Sequence, residues 1–310
     1  MSIKIAASAS RLRMGAPLIR SLRKLGSIRA YSGNPVVSES PAEWDEHMRE
    51  IGNVLYEPDA GESKYKMTYS GYAGDYGDGT TVYVGGAISA DGFSWTKTGK
   101  LITRALEDPY VVVVDGVYHL FAEDKADVPF RGLRRYHSSD FITWVDDGDV
   151  FDPQGGGDPD GWESQDVSSP VVWHDGDIWY MLYEGRGNGY GGMIGLATSD
   201  DGLNWRREAT NPVQGYGTPG EWDEANNVPD SLLELKGTYY MTYHGYKDTY
   251  QSGISWGTTL LNWQRGEYNP IDTVETLMLF ADGDDIRGTR LCNGGIGLYF
   301  PLPGGRINVT

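Results

Sequence analysis

One short pattern recurs four times along the chain, and its spacing constrains the fold more than any other feature. The clearest copies read Ser-x-Asp-Gly-x-x-Trp, and the weaker copies keep the tryptophan after a degenerate turn. The four tryptophans are Trp95, Trp144, Trp205 and Trp263. They lie roughly 50 to 60 residues apart, which is the length of one four-stranded propeller blade. A four-stranded sheet alone would leave one face in water, so such repeats must pack radially on one another.

The composition suits a chain of many short strands and tight turns. The 310 residues include 43 Gly, 21 Tyr and 10 Trp. Tyr and Trp favour strands, and Gly favours the turns between them. We therefore predict an all-β fold, a five-bladed β-propeller with a basic N-terminal arm. The predicted boundaries are 1–33 for the arm and 34–310 for the propeller.

Apolar runs on either side of tight turns mark the predicted strands. The first four blades begin after Asn34-Pro35, at Glu107-Asp108-Pro109, near Ser169-Pro170 and at Pro229-Asp230-Ser231. The inner strand of the first blade is predicted near residues 53–57. The fifth blade is less regular, and we assign residues 276–280, 295–300 and 306–309 to it.

Charge is distributed unevenly along the chain. The formal net charge is −18, yet residues 1–38 hold seven basic side chains and no acidic one. The overall negative charge argues against nucleic acid as a partner, because phosphates repel such a surface. It suits a neutral or cationic ligand, or serves solubility alone. No apolar run approaches the ~20 residues that cross a bilayer, and the single Cys292 excludes an internal disulfide.

Three interpretations of the basic segment stay open. The first is an arm that docks on a protein partner in an oligomer or a larger assembly. The second is an organellar presequence, which the Ser- and Arg-rich composition resembles. The third is a strand that closes the ring, for which residues 3–7 are suited, followed by a disordered tail.

The topology of a propeller gathers residues that are distant in sequence. Inner strands begin, and second strands end, on the same face of the disc, because the two pair antiparallel across one hairpin. Side chains at both positions therefore surround the central channel. This predicted set contains Glu107, Asp108, Glu123, Asp166, Glu184, Arg186, Asp230 and His244, with Trp162 and Trp222 on the connections into blades three and four.

Acidic groups beside aromatic rings around a channel are typical of a site for carbohydrate. Aromatic faces stack on the apolar side of a sugar ring, and carboxylates accept hydrogen bonds from its hydroxyls. Hydrolysis of a glycosidic bond typically uses two carboxyl groups, one protonated as the acid and one ionised as the base or nucleophile. Crowded carboxylates raise one another's pKa, so one of them can stay protonated.

The blade repeat, Glu107-Asp108-Pro109 and Tyr183-Glu184-Gly185 resemble the five-bladed propellers of glycoside hydrolase families 43 and 32 and their relatives. The resemblance covers residues 35–300 and implies three catalytic acids around the channel. On this basis Asp108 and Asp230 are predicted as base and orienting carboxylates, and Glu184 as the general acid of an inverting hydrolase. The predicted substrate-binding residues are Asp166, Arg186, His244, Glu107, Glu123, Trp162 and Trp222.

The first blade departs from this pattern. Asn53 stands where family 43 has the Asp that activates water, and an amide cannot act as a base. Two alternatives to a hydrolase therefore stay open. One is a non-catalytic glycan-binding, receptor-binding or adhesin module, held by its basic arm in a larger assembly such as a viral tail. The other is a scaffold propeller that contacts only proteins.

The sequence gives no signal for a cofactor. Asp75, Asp78 and Gly79 resemble a loose calcium loop, but their spacing is poor for metal ligands, so a structural calcium is the weakest alternative and no metal site is assigned. A glycan partner favours the extracellular space or the surface of a particle as the location.

Overall fold

Five antiparallel sheets form a ring around one central channel. The computed structural model describes residues 22, 25–77, 80–126, 132–153, 161–187, 189, 191–273, 276–282 and 285–303. The inner strand of each sheet contacts the inner strand of the next, and the fifth contacts the first, so the ring is closed. The predicted all-β, five-bladed propeller is therefore confirmed. Within these residues, no helix is long and apolar enough to span a bilayer.

The first four blades each consist of four strands that follow one another in sequence. In chain order the strands are β1 Leu25–Ala30, β2 Val37–Ser38, β3 His47–Tyr56, β4 Tyr65–Tyr72, β5 Tyr83–Ser89, β6 Thr96–Lys100, β7 Leu106–Val114, β8 Val117–Asp124, β9 Leu133–Ser138, β10 Val145–Phe151, β11 Asp166–His174, β12 Trp179–Arg186, β13 Met193–Ser199, β14 Trp205–Arg207, β15 Asn226–Leu235, β16 Thr238–Tyr246, β17 Tyr250–Thr259, β18 Asn262–Arg265, β19 Met278–Asp282, β20 Asp285–Cys292 and β21 Gly295–Pro303. Blade one comprises β3 to β6, blade two β7 to β10, blade three β11 to β14 and blade four β15 to β18. A short 3-10 helix, Gly61–Ser63, precedes β4.

The fifth blade combines strands from distant parts of the sequence. β19, β20 and β21 run outward from the channel, and β1 pairs antiparallel with β21 as the outermost strand. β2 also pairs with β21. β20 was not predicted from the sequence. The strands that were predicted at residues 3–7 and 306–309 lie outside the described residues. The strand that closes the ring is β1, and the arm boundary at residue 33 stays a prediction.

The Ser-x-Asp-Gly-x-x-Trp repeat builds the turn between the third and fourth strands. In blade three, Ser199 Oγ accepts the N–H of Gly202 at 2.9 Å, and Asp201 Oδ1 accepts the next two backbone N–H groups at 2.8 Å. Trp205 Nε1 then donates to the Gly202 carbonyl at 3.2 Å. In blade two Phe141 takes the glycine position and adopts a φ of +68°, so the turn survives without glycine.

A second repeat fixes the connections into blades one, three and four. In blade three, Trp162 stacks on Tyr183 with 6.0 Å between ring centroids. The adjacent Glu163 accepts hydrogen bonds from the Tyr183 hydroxyl at 2.7 Å and from Arg207 Nε at 2.5 Å. The equivalent groups are Trp44, Asp45, Tyr69 and Lys97 in blade one, and Trp222, Asp223, Tyr243 and Arg265 in blade four. Each buried acid thereby joins a loop to the second and fourth strands.

Asparagines that precede proline hold the third strands in place. Asn211 Oδ1 accepts the Leu196 N–H at 2.8 Å, and its Nδ2 donates to the Leu196 carbonyl at 3.0 Å. Asn269 and Asn34 make the same pair of bonds to the third strands of blades four and five. The Asn34-Pro35 pair therefore completes the fifth blade before the chain enters the first.

Arginine side chains connect neighbouring blades at the repeated turns. Arg135 on β9 donates to the Asp201 carbonyl of blade three at 3.0 Å. Arg287 on β20 donates to the Asp91 carbonyl of blade one at 3.2 Å. The turn that ends the third strand of one blade is thus also a contact of the preceding blade.

Apolar side chains next to and within β1 pack between blades four and five. Leu22 and Leu25 are each 1% exposed and belong to one core cluster with Leu233, Leu277 and Leu279. Burial of an apolar side chain stabilises the fold by about 1.5–3 kcal/mol. The closing strand is therefore held by packing as well as by its hydrogen bonds to β21.

We predict that Leu25→Ala lowers the free energy of unfolding by about 2–4 kcal/mol, because it removes buried apolar contacts and leaves a cavity. Leu203→Ala is the matched control, since Leu203 is 39% exposed and its change should stay within about 0.5 kcal/mol. Urea denaturation followed by tryptophan fluorescence measures both. Equal midpoints for the two variants would contradict this role of β1.

Candidate functional site

The inner strands break their regular pairing where they approach one face of the ring. Register shifts interrupt β3, β7, β11 and β15 close to their first residues. Asp108 on β7, Ser169 on β11 and Thr276 just before β19 have φ values of +49°, +48° and +54°. This left-handed conformation is costly for residues with a Cβ, and such outliers concentrate at functional sites. The bulges mark this face of the hub as the candidate site.

All five blades contribute to a narrow channel at this face. Its polar lining residues are Glu50, Asp108, Ser169, Asp230, His244 and Thr276. The cavity has a volume of about 30 Å³, which holds little more than water. The structure therefore brings Asp108 and Asp230 to one channel, which is too narrow to enclose a sugar ring.

Asp108 lies partly buried at the centre of this arrangement. Ser169 Oγ donates a hydrogen bond to its Oδ2 at 2.7 Å. Burial and the nearby charge of Glu107 raise the pKa of Asp108 to about 6, against the opposing effects of Ser169 and of Arg49. A carboxyl group with this pKa can gain or lose a proton near neutral pH.

Asp230 and His244 form a buried pair on blade four. His244 Nδ1 donates to Asp230 Oδ1 at 2.7 Å, and the backbone N–H of Leu277 donates to Oδ2 at 3.0 Å. Asp230 is 3% exposed and His244 is 8% exposed. Because both oxygens of Asp230 accept hydrogen bonds, the carboxylate orients the imidazole that lines the channel.

Glu184 lies beside the channel on blade three. Ser168 Oγ donates to its Oε2 at 2.7 Å, and Arg186 donates from Nε and Nη2 to the two oxygens, both at 2.9 Å. Glu184 is 1% exposed, whereas the Arg186 side chain is 47% exposed. A Cβ at Gly192 would collide with Oε1, so glycine is needed there. Glu184 is held by a forked ion pair rather than directed at the channel.

Three predicted sugar ligands form an acidic layer next to Asp108. Glu107 and Glu123 are each 4% exposed and oppose each other on β7 and β8. Lys125 Nζ lies 2.7 Å from Glu107 and 4.0 Å from Glu123. Burial, followed by the charges of Asp166 and Asp108, raises the pKa of Glu123 well above its ordinary value. Glu107 and Glu123 are buried, and Asp166 is partly exposed. Direct sugar binding by these three residues stays a prediction.

Trp162 and Trp222 were predicted as sugar platforms, and the structure places both rings against tyrosines of their own blades. Trp222 lies 5.3 Å from the Tyr243 ring centroid and is 9% exposed. Glycines in the second and third strands accommodate the indoles, as at Gly245 beneath Trp222. Packing between loop and blade accounts for both residues, and a sugar contact at the partly exposed Trp162 stays a prediction.

The sequence analysis missed Glu50, the carboxyl group that blade one contributes to the channel. β3 begins at His47, well before the predicted residues 53–57. Asn53 instead exchanges two hydrogen bonds of 2.7 Å with the backbone of Val111, so it joins blades one and two. A signal was present in the sequence. β11 and β15 begin four residues after Trp162 and Trp222, and β3 begins three residues after the equivalent Trp44.

No cluster of metal-ligating side chains is present among the described residues. Two residues of the loose calcium loop, Asp78 and Gly79, lie outside that part of the chain. Acid–base chemistry by carboxyl groups and imidazole is what these residues can perform without a metal.

Comparisons with known proteins agree with the fold. No family model matches the sequence, and no curated protein matches it. Three similar solved structures are a family 117 glycoside hydrolase of Zobellia galactanivorans (TM-score 0.65, 15% identity, 90% of this chain and 91% of that chain), a β-1,2-mannobiose phosphorylase of Listeria innocua (0.65, 14%, 88% and 96%) and a glycosyl hydrolase of Bacteroides ovatus (0.66, 15%, 90% and 97%). The predicted resemblance to propeller glycoside hydrolases is confirmed for the fold. Membership of family 43 or 32 is not shown.

We predict that Asp108→Asn stabilises the protein at pH 8 by roughly 1–2 kcal/mol and has no such effect at pH 4. The pKa of Asp108 is raised from 3.8 to about 6 in the folded protein. Ionisation therefore costs folding free energy, which is small at pH 4, grows as the pH rises from about 4 to about 6 and is constant above that. Asparagine keeps the shape and cannot ionise.

Thermal unfolding of both proteins between pH 4 and pH 8 measures this difference. Asp177→Asn, at an exposed carboxylate in the turn between β11 and β12 on the opposite face, is the control. A constant difference between wild type and Asp108→Asn across this range would contradict the raised pKa.

Proposed function

We propose that the protein is a glycan-acting propeller, and more specifically a glycoside hydrolase whose active site is the mouth of the central channel. The observation that carries this proposal is Asp108, which shares a channel with Asp230 and His244. Its backbone is in the strained left-handed conformation, and its carboxyl group has a pKa of about 6. Structures of the same fold that are named as glycoside hydrolases give it further support.

In the proposed reaction Asp108 is the base. It removes a proton from water while the water oxygen forms a bond to the anomeric carbon and the glycosidic C–O bond breaks. The leaving oxygen receives a proton from a general acid on the other side of the sugar, and the anomeric configuration inverts. Asp230 holds His244 in place beside the reacting carbon, as an orienting carboxylate.

Glu184 is the proposed general acid. Its two hydrogen bonds with Arg186 must be broken before it can act. A carboxylate that accepts two guanidinium hydrogen bonds has no proton to give. The half-exposed Arg186 must therefore turn toward the substrate before Glu184 can take part. The imidazole of His244 is a second candidate acid, because it already lines the channel and Asp230 would stabilise its charged form.

The two candidate acids can be distinguished by leaving group. We predict that Glu184→Gln slows cleavage of alkyl glycosides by at least about 100-fold, the usual contribution of general acid catalysis. The same variant should slow the cleavage of dinitrophenyl glycosides little, because the dinitrophenolate leaving group needs no proton. The role would pass to His244 if His244→Gln slowed alkyl glycosides far more than dinitrophenyl glycosides, while Glu184→Gln slowed both substrates equally.

We predict that kcat/KM rises as the pH increases through about 6, since a base must be ionised. Asp108→Asn should abolish turnover on every substrate that the wild type cleaves. The screen uses aryl arabinosides, xylosides, fructosides and uronides, each with and without inorganic phosphate. Proton NMR of the first product formed reports inversion or retention. Full activity of Asp108→Asn would reject the proposed base.

A non-catalytic glycan-binding module is the second candidate. It is favoured by the closed pair of Glu184 with Arg186 and by the structural use of Asn53. In that case the protein binds oligosaccharides at the channel mouth and releases no reducing ends, and Asp108→Asn alters affinity alone.

A further inference from the structure

Two pairs of tyrosines flank the channel mouth on different sides of the hub. Tyr72 ends β4 in blade one and Tyr76 follows it, and Tyr246 and Tyr250 lie on either side of the turn between β16 and β17 in blade four. Second strands end on the face where inner strands begin, so both pairs lie on the face of the candidate site. Tyr76 is 48% exposed, and Tyr246 and Tyr250 are each 38% exposed.

The blade-four pair lies next to a side chain of the channel lining. The Tyr250 ring centroid lies 5.7 Å from that of His244, which lines the channel. The Tyr246 centroid lies a further 4.9 Å from Tyr250. Tyr246 stands two residues after His244 on β16 and directly opposite Tyr250 on β17. The two tyrosines therefore form one aromatic patch beside His244 at the rim of the channel.

The blade-one pair begins at the acidic layer. The Tyr76 hydroxyl donates to Glu107 Oε1 at 3.4 Å, and the Arg49 guanidinium lies 5.1 Å from the Tyr76 ring centroid. The Tyr72 ring is 5.1 Å from Tyr76 in an edge-on arrangement. These contacts hold Tyr76 in position although nearly half of its surface is in solvent.

Charge around the mouth favours a neutral chain. The carboxyl groups there are Glu50, Glu107, Asp108, Glu123, Asp166, Glu184 and Asp230. The cationic side chains that face them are Arg49, Lys125 and Arg186. Carboxyl groups outnumber cations among these described residues, so a uronic acid polymer would be repelled.

We propose that the two tyrosine pairs are subsites for a neutral glycan chain that crosses the channel mouth, so that bonds within the chain lie over Asp108. This inference rests on the proposed function and deepens it, since it names the substrate class. Two observations favour a chain over a single terminal sugar. Aromatic patches stand at the rim on two different blades, and the cavity of about 30 Å³ is too small to accept a chain end.

The test measures binding separately from turnover. Linear arabino-, xylo- and manno-oligosaccharides of two to six residues are titrated by calorimetry into Asp108→Asn protein. For the series that binds, a Tyr246→Ala/Tyr250→Ala double variant and a Tyr76→Ala variant should each weaken six-residue binding about tenfold, the effect of roughly 1.4 kcal/mol of stacking. Disaccharide binding should weaken less than six-residue binding in both variants, because a disaccharide at the channel can reach only one of the two aromatic patches.

Matched controls separate stacking from loss of structure. Tyr268→Ala removes a tyrosine of similar exposure, 37%, that follows the outermost strand of blade four, and it should leave all affinities unchanged. Phenylalanine at Tyr246 and Tyr250 should restore six-residue binding, since the ring faces remain. Unchanged thermal unfolding of each variant verifies the fold.

The outcomes keep this inference apart from the proposed function. Tyrosine-dependent binding of long neutral chains, with no cleavage by the wild type, supports the subsites and rejects the hydrolase. Cleavage that is independent of chain length and of the tyrosines rejects the subsites and keeps the hydrolase. The inference is also overturned if no neutral chain binds, or if only uronic acid chains do.

Discussion

Closure of the ring is the constraint on which the rest of the structure depends. Each blade is a small twisted sheet with two apolar faces, and only neighbours on both sides can cover them. The contact of β19 with β3 and the pairing of β1 with β21 supply the last of these neighbours. Once the ring is closed, five inner-strand starts must meet at one hub, and polar residues from remote parts of the chain become adjacent.

The hub concentrates the features that oppose stability. The left-handed backbone costs free energy at Asp108, Ser169 and Thr276, and so does the close spacing of the carboxyl groups. The blades must offset both costs. The offset comes from the repeated turns, from the Trp–acid–Tyr connections and from the asparagines that bind the third strands, none of which lines the channel. A rigid, repetitive periphery thus supports an irregular, strained centre, as expected where a protein binds or transforms a ligand.

Blade number and the repeated turns could be predicted because they depend on local sequence patterns. Asp108, Asp230 and His244 were also predictable, since the topology alone places strand starts and second-strand ends on one face. Glu50 was missed because the first inner strand was placed too late. The pairing of Glu184 with Arg186 and the left-handed backbone of Asp108 depend on side-chain directions and bulges, which no sequence spacing specifies. A closing strand from the N-terminal segment was one of the alternatives, but its position at residues 25–30 was not predicted, because its partner lies more than 260 residues away.

The pairing of β1 with β21 also has a consequence for biosynthesis. The outer strand of blade five leaves the ribosome before every other described strand, and its partner leaves after all of them. Until then the edges of blades five and one have no neighbour, and exposed strand edges invite association between nascent chains. Arg29, whose side chain is exposed on β1 itself, places a positive charge on this strand, which opposes such association. The order of synthesis thus makes the closing strand the one that needs protection longest.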